Sequence, residues 1–189
     1  MLPLDSYTKE IMLRDGACVT FRPMVREDVD PLWNFFQQIP LEDKMYFRED
    51  VNRREEVERW ASNIDFDAVL PVLAFSGGRV VGDATLHRHR TGWKQRVGTV
   101  RILIAPDFRH RGLGTAMIRE LRHLGEKASL HYLLAEVIEE QQAATRAFEK
   151  LGFERVTVLR NYVNDPKGKL HNLVVLLYPM SHSDDEVSY

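Results

Sequence analysis

The spacing of apolar residues changes several times along the chain, and each change marks an element. Val29, Leu32, Trp33, Phe35 and Phe36 recur at helical spacing within Glu27 to Gln38, and Val57, Trp60 and Ala61 do so within Arg53 to Asn63. Between these two predicted helices, Pro40 to Asn52 has no clear period. Upstream, Glu10 to Leu13 and Ala17 to Arg22 flank Arg14-Asp15-Gly16, a short hairpin opening on a strand that Pro23 ends. Downstream, the apolar run Val69 to Phe75 and the run Arg79 to His87 flank Gly77-Gly78, a second hairpin. A strand is expected over Val97 to Ala105, stopped by Pro106. A helix follows over Thr115 to Lys127, with Met117, Ile118, Leu121 and Leu124 on one side. Tyr132 to Ile138 reads as a strand and Gln141 to Lys150 as a helix closed by Gly152. Phe153 to Leu159 and Leu170 to Leu177 form a strand pair turned by Asp165-Pro166-Lys167-Gly168. The order β-α-α-β-β-β-α-β-α-β-β predicts a mixed sheet with helices on both faces.

Composition narrows the class. The 189 residues fit one domain, read as residues 1–180 with Ser181 to Tyr189 as a flexible acidic tail carrying Asp184, Asp185 and Glu186. With 44% hydrophobic and 29% charged residues the chain has the make-up of a globular protein, and a net charge of −2 argues against a general affinity for nucleic acid. Cys18 is the single cysteine, so no intrachain disulfide forms; between apolar neighbours it reads as a small core residue. The seven histidines show no H-x-x-x-H spacing, so no metal site is expected. No apolar run approaches the roughly 18 residues that span a bilayer, and Met1 to Glu10 lacks a signal-peptide core. The expectation is a cytoplasmic enzyme or binding domain with no membrane partner.

The chemistry concentrates in Pro106-Asp107-Phe108-Arg109-His110-Arg111-Gly112-Leu113-Gly114-Thr115, between a strand and a helix. Gly112 and Gly114 allow the backbone to approach a ligand closely. The first amides of the following helix have no partner inside it and carry the positive end of its dipole, which suits a diphosphate. Arg109 and Arg111 add charge and Thr115 a hydroxyl. The third glycine of a dinucleotide fingerprint and the G-K-S/T of a Walker loop are both absent.

The segment matches R/Q-x-x-G-x-G/A and resembles the acyl-CoA diphosphate motif of the GNAT superfamily of N-acetyltransferases. Arg101 to Pro106 resembles that family's central strand, and Thr20-Phe21-Arg22-Pro23 its usual first strand. Glu140 to Phe153 resembles its second CoA helix, so that the likeness covers Ala17 to Leu177. At a finer level Leu13-Arg14-Asp15-Gly16, Ala135 to Glu140 and Gly168 to Val175 look like the Pat-like branch of protein lysine acetyltransferases. The resemblance implies an α/β fold with a mixed, largely antiparallel sheet of about seven strands. It implies acetyl-CoA as co-substrate and a primary amine, of a small molecule or of protein lysine, as acceptor. Backbone groups of Leu103, Ile104 and Ala105 would hold the pantetheine arm. The amides of Arg109, His110, Arg111, Gly112, Leu113 and Gly114, with Thr115, would hold the diphosphate, and one face bearing Gln141, Ala144 and Phe148 would meet the arm. A bulge in the strand before the loop would aim the Leu103 or Ile104 amide at the thioester oxygen. The oligomeric state, a homodimer included, is left open.

Two catalytic side chains common in the family are missing. Val97-Gly98-Thr99-Val100 carries no carboxylate where a general-base Glu often stands, and Phe148 replaces the frequent general-acid Tyr. Another base, catalysis by positioning, and an acyl-CoA-binding module without catalysis are the readings that remain. Glu136, a carboxylate where an apolar residue is expected, is the first alternative base, with an ion pair to Arg101 as the structural reading. Asp83 has the same ambiguity; His87 and His89 are further proton acceptors, and Tyr46 and Tyr162 candidate acids. The basic run His87 to Arg90, with Trp93, Lys94 and Arg96, reads as a solvated loop.

Overall fold

The computed structural model describes residues 7–44 and 51–180. Tyr46 and the tail Ser181 to Tyr189 lie outside the described residues. The elements run β1 (Lys9–Met12), β2 (Cys18–Pro23), a 3₁₀ turn (Arg26–Asp28), α1 (Val29–Gln38), α2 (Leu41–Lys44) and α3 (Arg54–Ser62). Then follow β3 (Val69–Ser76), β4 (Arg79–Arg88), β5 (Val97–Ile104), a second 3₁₀ turn (Pro106–Phe108), α4 (Leu113–Lys127), β6 (Tyr132–Ile138), α5 (Gln142–Glu149), β7 (Glu154–Asn164) and β8 (Leu170–Pro179).

Among the described residues eight strands form one sheet in the order β1-β2-β3-β4-β5-β6-β8-β7, in which only β5 and β6 pair in parallel. The fold is the mixed, largely antiparallel one expected. The strand beyond the expected seven is β1, which the sequence marks only as the first arm of a hairpin. Gly77 and Gly78 both take positive φ (57° and 76°), which lets a two-residue turn join β3 to β4 with the twist their pairing needs. β7 runs five residues past the expected Leu159. Its register slips between Leu159 and Val163, so its apolar period breaks where the strand continues.

Glycine contacts show which face each helix covers. A Cβ on Gly82 would lie 2.7 Å from Met117 Sδ, and one on Gly125 would lie 3.2 Å from Leu133 Cδ2. Helix α4 therefore lies on the face of Gly82, Ala84 and Leu86 in β4 and of Leu133 and Ala135 in β6. Helix α1 packs on β4 from the other face and buries Leu32, Phe35 and Phe36. Lys9 reaches from β1 to the buried Glu120 of α4, 2.6 Å away, tying the first hairpin to that helix.

Cys18 corrects the sequence reading. Val19 and Phe21 are the buried members of β2, so the period-2 alternation leaves Cys18 exposed at the strand start.

Candidate active site

The parallel pair at the centre of the sheet separates. Pairing of β5 with β6 runs from Val97↔Tyr132 to Val100↔Ala135, although β5 continues to Ile104 and β6 to Ile138. Over the same stretch β5 stays paired to β4, through Gly82↔Ile104, and β6 to β8, through Ile138↔Leu173. A wedge therefore opens between the carboxyl ends of two parallel strands, and α4 starts at its mouth.

Backbone direction along β5 follows from one bond: Ala105 N–H donates to Val81 O at 3.0 Å. Amides alternate sides along a strand, so Leu103 points its N–H to β4, while Ile102 and Ile104 point theirs into the wedge. The β4–β5 register runs without a shift from Gly82↔Ile104 to Arg88↔Gly98, so the expected bulge is absent and regular alternation alone aims Ile104. Between Leu103 and Ile104, which the sequence leaves equivalent, only Ile104 faces the opening. Ala105 is committed to β4.

The loop after β5 is built to present N–H groups. His110 (φ 61°) and Gly112 (φ 93°) are both left-handed, and flanking Arg111 they curl the chain into a nest of successive N–H groups that runs into α4. Among the described residues the amides of His110, Arg111, Gly112, Leu113, Gly114 and Thr115 have no acceptor; the first bonded one is Ala116, to Gly112 O at 3.0 Å. Arg109 departs from expectation, since its amide bonds Pro106 O at 3.3 Å. A Cβ on Gly112 would meet Arg14 Nε at 3.6 Å, and one on Gly114 only Ile104 Cγ1 at 3.8 Å. The positive φ, more than lack of room, makes Gly112 a glycine.

Both loop arginines already hold protein partners. Arg109 donates to Asp43 Oδ2 (2.6 Å) and to Ile104 O (3.2 Å), linking α2 to the end of β5. Arg111 bonds Asp15 of the first hairpin turn, donates to Asp107 O (3.2 Å) and lies 4.2 Å over the Phe108 ring. The Arg111 guanidinium holds the Asp15 carboxyl below its usual range. Besides adding charge, both side chains therefore brace the loop, while its amides lie at the positive end of the α4 dipole. Arg14, Arg119 and Lys9 line a groove of about 350 Å³ that reaches Gly112 and Thr115 between the first hairpin and α4.

On α5, Gln141 caps the helix and Ala144 is half-buried. Phe148 is only 6% exposed and meets Phe153 edge-on at 5.0 Å, so its ring belongs to the core more than to an open face. Its spacing from Gln141 shows a shared side but not the depth at which that side is buried.

The sheet face opposite α4 carries the polar candidates. Asp83, Thr85 and His87 of β4, Thr99 and Arg101 of β5, and Glu136 of β6 all point there. Thr85 Oγ1 and His87 Nε2 are 3.0 Å apart. One step past the last paired residues, the register sets Arg101 opposite Glu136, and each is engaged by its surroundings. Glu136 is exposed and Asp83 half-buried. Burial pushes the Asp83 carboxyl up to about 7, and among the described residues it has neither a hydrogen bond nor an ion pair. His89 is exposed, and Tyr162 lies exposed on β7, where the register slips.

One buried cluster was not singled out from sequence. His171 Nδ1 lies 2.9 Å from Glu140 Oε1 and its Nε2 3.4 Å from Asp165 Oδ2. Asp165 Oδ1 also accepts from the amides of Lys167 and Lys169. The cluster fixes the β7–β8 turn against the segment leading into α5. The closeness of Glu140 and Asp165, which no local pattern reveals, distinguishes His171 from an ordinary strand residue.

Among the described residues no helix is long and apolar enough to cross a membrane, and no three His, Cys, Asp or Glu gather as metal ligands.

Known proteins are similar to this chain in sequence or in fold. The [Ribosomal protein bS18]-alanine N-acetyltransferase of Escherichia coli (strain K12) is 32% identical over 80 residues, 42% of this chain. The match spans 53% of that relative, about half its length. The GNAT domain of S. lividans PAT superposes with a TM-score of 0.74 at 18% identity, covering 91% of this chain and 96% of that one. The structure of yncA from Salmonella typhimurium with its cofactor acetyl-CoA gives 0.75 at 14% identity, covering 90% and 99%. At these identities the structural likeness is one of fold. The sequence profile of the acetyltransferase (GNAT) family matches residues 32–153, which contain the wedge, the whole nest and the helix after β6. With the profile and the fold in agreement over the centre of the molecule, the chain belongs to the GNAT acetyltransferase family.

Proposed function

We propose that the protein is an acetyl-CoA-dependent N-acetyltransferase acting on a primary amine in the cytoplasm, by direct attack in a ternary complex. The observation that carries this reading is the row of unpaired amides from His110 to Thr115 at the mouth of the wedge. Amides that converge at a helix N-terminus fit a diphosphate, and the Thr115 hydroxyl adds a donor. The wedge edge of β5 offers strand-like bonding to the amide-bearing pantetheine arm at Ile102 and Ile104, with Leu103 and Ala105 holding the edge to β4. The half-buried Gln141 and Ala144 on α5, the helix that follows β6, are assigned to the other side of the arm, with Phe148 packed in the core behind them.

When bound, acetyl-CoA supplies the activated acyl group. The chain's own groups do three things. The nest fixes the anion, the Ile104 N–H is set to stabilise oxyanion charge, and the polar face opposite α4 receives the amine. Glu136, exposed on that face, is assigned to the acceptor's ammonium, which it draws in and orients as a hydrogen-bond acceptor. Phe148 has no proton to donate, so the thiolate leaves without help from that position.

The acceptor is read as a protein amino group. The curated relative acts on an alanine of ribosomal protein bS18, and the sequence resemblance points to lysine. Calorimetric titration with acetyl-CoA, followed by thiol release on adding a peptide with a free N-terminal alanine or one with an internal lysine, tests this reading. Binding with amine-dependent release is expected. Binding without release from either peptide would make the chain an acyl-CoA-binding module, and absence of binding would remove the cradle itself.

A further inference from the structure

The proton chemistry of the site points to a residue deeper than Glu136. Asp83 lies within β4, directly across from Leu73 of β3 on one side and Leu103 of β5 on the other. Its carboxyl has no partner among the described residues. Asp83 is half-buried and its oxygens are not among the fully enclosed unsatisfied ones, so the carboxyl keeps a way out to an incoming group. No ion pair or hydrogen bond among the described residues ties it to a structural role. Asp83 also has a particular position. It faces the acceptor side of the sheet, opposite Leu103, across a cross-strand Cα separation of about 5.5 Å. The next residue, Ile104, points its amide into the wedge.

Resting on the acetyltransferase reading, we propose that Asp83 is the group that takes the proton from the acceptor's ammonium, while Glu136 captures that ammonium at the rim. The ammonium gives one proton to the Asp83 carboxylate. The neutral nitrogen forms a bond to the thioester carbonyl carbon, the carbon–sulfur bond breaks, and its electron pair leaves on sulfur. The second nitrogen proton goes to the thiolate. The products are an amide, the free thiol and a protonated Asp83, which returns its proton to water.

The surroundings suit that task. Leu32, Phe35 and Phe36 of α1 are apolar, as are Leu73 and Leu103. The titratable and charged groups on the same face include Arg79 and His87 of β4, Arg101 of β5, Tyr132 and Glu136 of β6, Arg22 of β2 and Glu10 of β1. Arg22 is bonded to Asp28 through both carboxyl oxygens at 2.6 Å. Burial holds the Asp83 carboxyl near neutrality, where it can both accept and release a proton at working pH.

The test compares Asp83→Asn and Glu136→Gln with the wild type in three measurements. The first is acetyl-CoA affinity by calorimetry, the second thiol release against pH, and the third the ¹³C titration of the Asp83 carboxyl by NMR. The amines are propylamine, which is charged at neutral pH, and trifluoroethylamine, which is not. Asp83→Asn should bind acetyl-CoA like the wild type and lose about a hundredfold in kcat with propylamine. It should change less than about threefold with trifluoroethylamine, which arrives without the extra proton. Glu136→Gln should raise KM for propylamine and keep the wild-type pH inflection. In the wild type the Asp83 resonance should titrate near neutrality. Equal losses on both amines, no loss on either, or a carboxyl titrating in the ordinary carboxylate range would each overturn the proposal. Failure of the wild type to bind acetyl-CoA would instead remove the reading on which it rests.

Discussion

Ala105 and Val81 share a backbone hydrogen bond of 3.0 Å, and that bond sets the direction of every amide in β5. It turns Leu103 toward β4 and Ile104 toward the wedge. Proline at each position separates the two roles, because it removes one N–H and nothing else from the donor count. Leu103→Pro should break the β4–β5 ladder and lower the unfolding midpoint. Ile104→Pro should retain more of the fold while turnover falls about a hundredfold, the usual scale for one oxyanion donor. Denaturant melts and steady-state rates on the two variants check this; equal effects on both properties would refute the alternation.

Gly112 sits at φ 93°, where a side chain with a Cβ is strained by roughly 1–3 kcal/mol. Gly112→Val should therefore cost stability of that order and weaken acetyl-CoA binding more than tenfold as the nest relaxes. Gly114→Ala places its Cβ 3.8 Å from Ile104 Cγ1 and should keep most of the affinity. Calorimetric titration of the two variants makes the comparison.

The sheet, its order of elements and the nest were legible in the sequence because each rests on local rules. Gly77-Gly78 marks a turn, the leucines and methionine of α4 mark a buried side, and Gly112 marks a left-handed step. What stayed hidden depends on register or on contacts between distant segments. Leu103 and Ile104 cannot be distinguished until β4 is placed beside them. Arg109 and Arg111 look free until Asp43 and Asp15 arrive from far away in the chain. Phe148 shares a helix side with Gln141, and only the packing of Phe153 shows how deep that side lies. Asp83 and Glu136 are both carboxylates in apolar strands, and the difference between a half-buried and an exposed position separates them.

Asp83 should also be visible in stability. Its carboxyl rises from 3.8 to about 7 on folding, so the folded state prefers the protonated form. The penalty is absent below the unfolded value, grows as pH rises from about 4 to about 7, and is complete above that. Asp83→Asn should stabilise the protein by roughly 2–4 kcal/mol at pH 8 and by almost nothing at pH 4. Denaturant unfolding at the two pH values measures it, and an equal effect at both would contradict the assignment.

His171 should show the opposite dependence. Its hydrogen bond to Glu140 raises its pKa, burial opposes this, and Asp165 adds to the rise. The raised value means that the imidazolium contributes fully below the unfolded pKa and that its contribution is lost as pH climbs through the folded one. His171→Asn should therefore lower Tm more at pH 5.5 than at pH 9. A thermal melt series over that range reads the difference, and a pH-independent loss would assign His171 to packing alone.

In the proposed function the backbone amides after β5 receive an anion from a ligand that enters the wedge. Amide NMR of the ¹⁵N-labelled protein, titrated with acetyl-CoA, reads each of those amides separately. Large shifts are expected for Ile104 and for His110 through Thr115, with Leu103 and Ala105 much less affected. Unmoved signals from His110 to Thr115 at saturating acetyl-CoA would rule the nest out as the anion site.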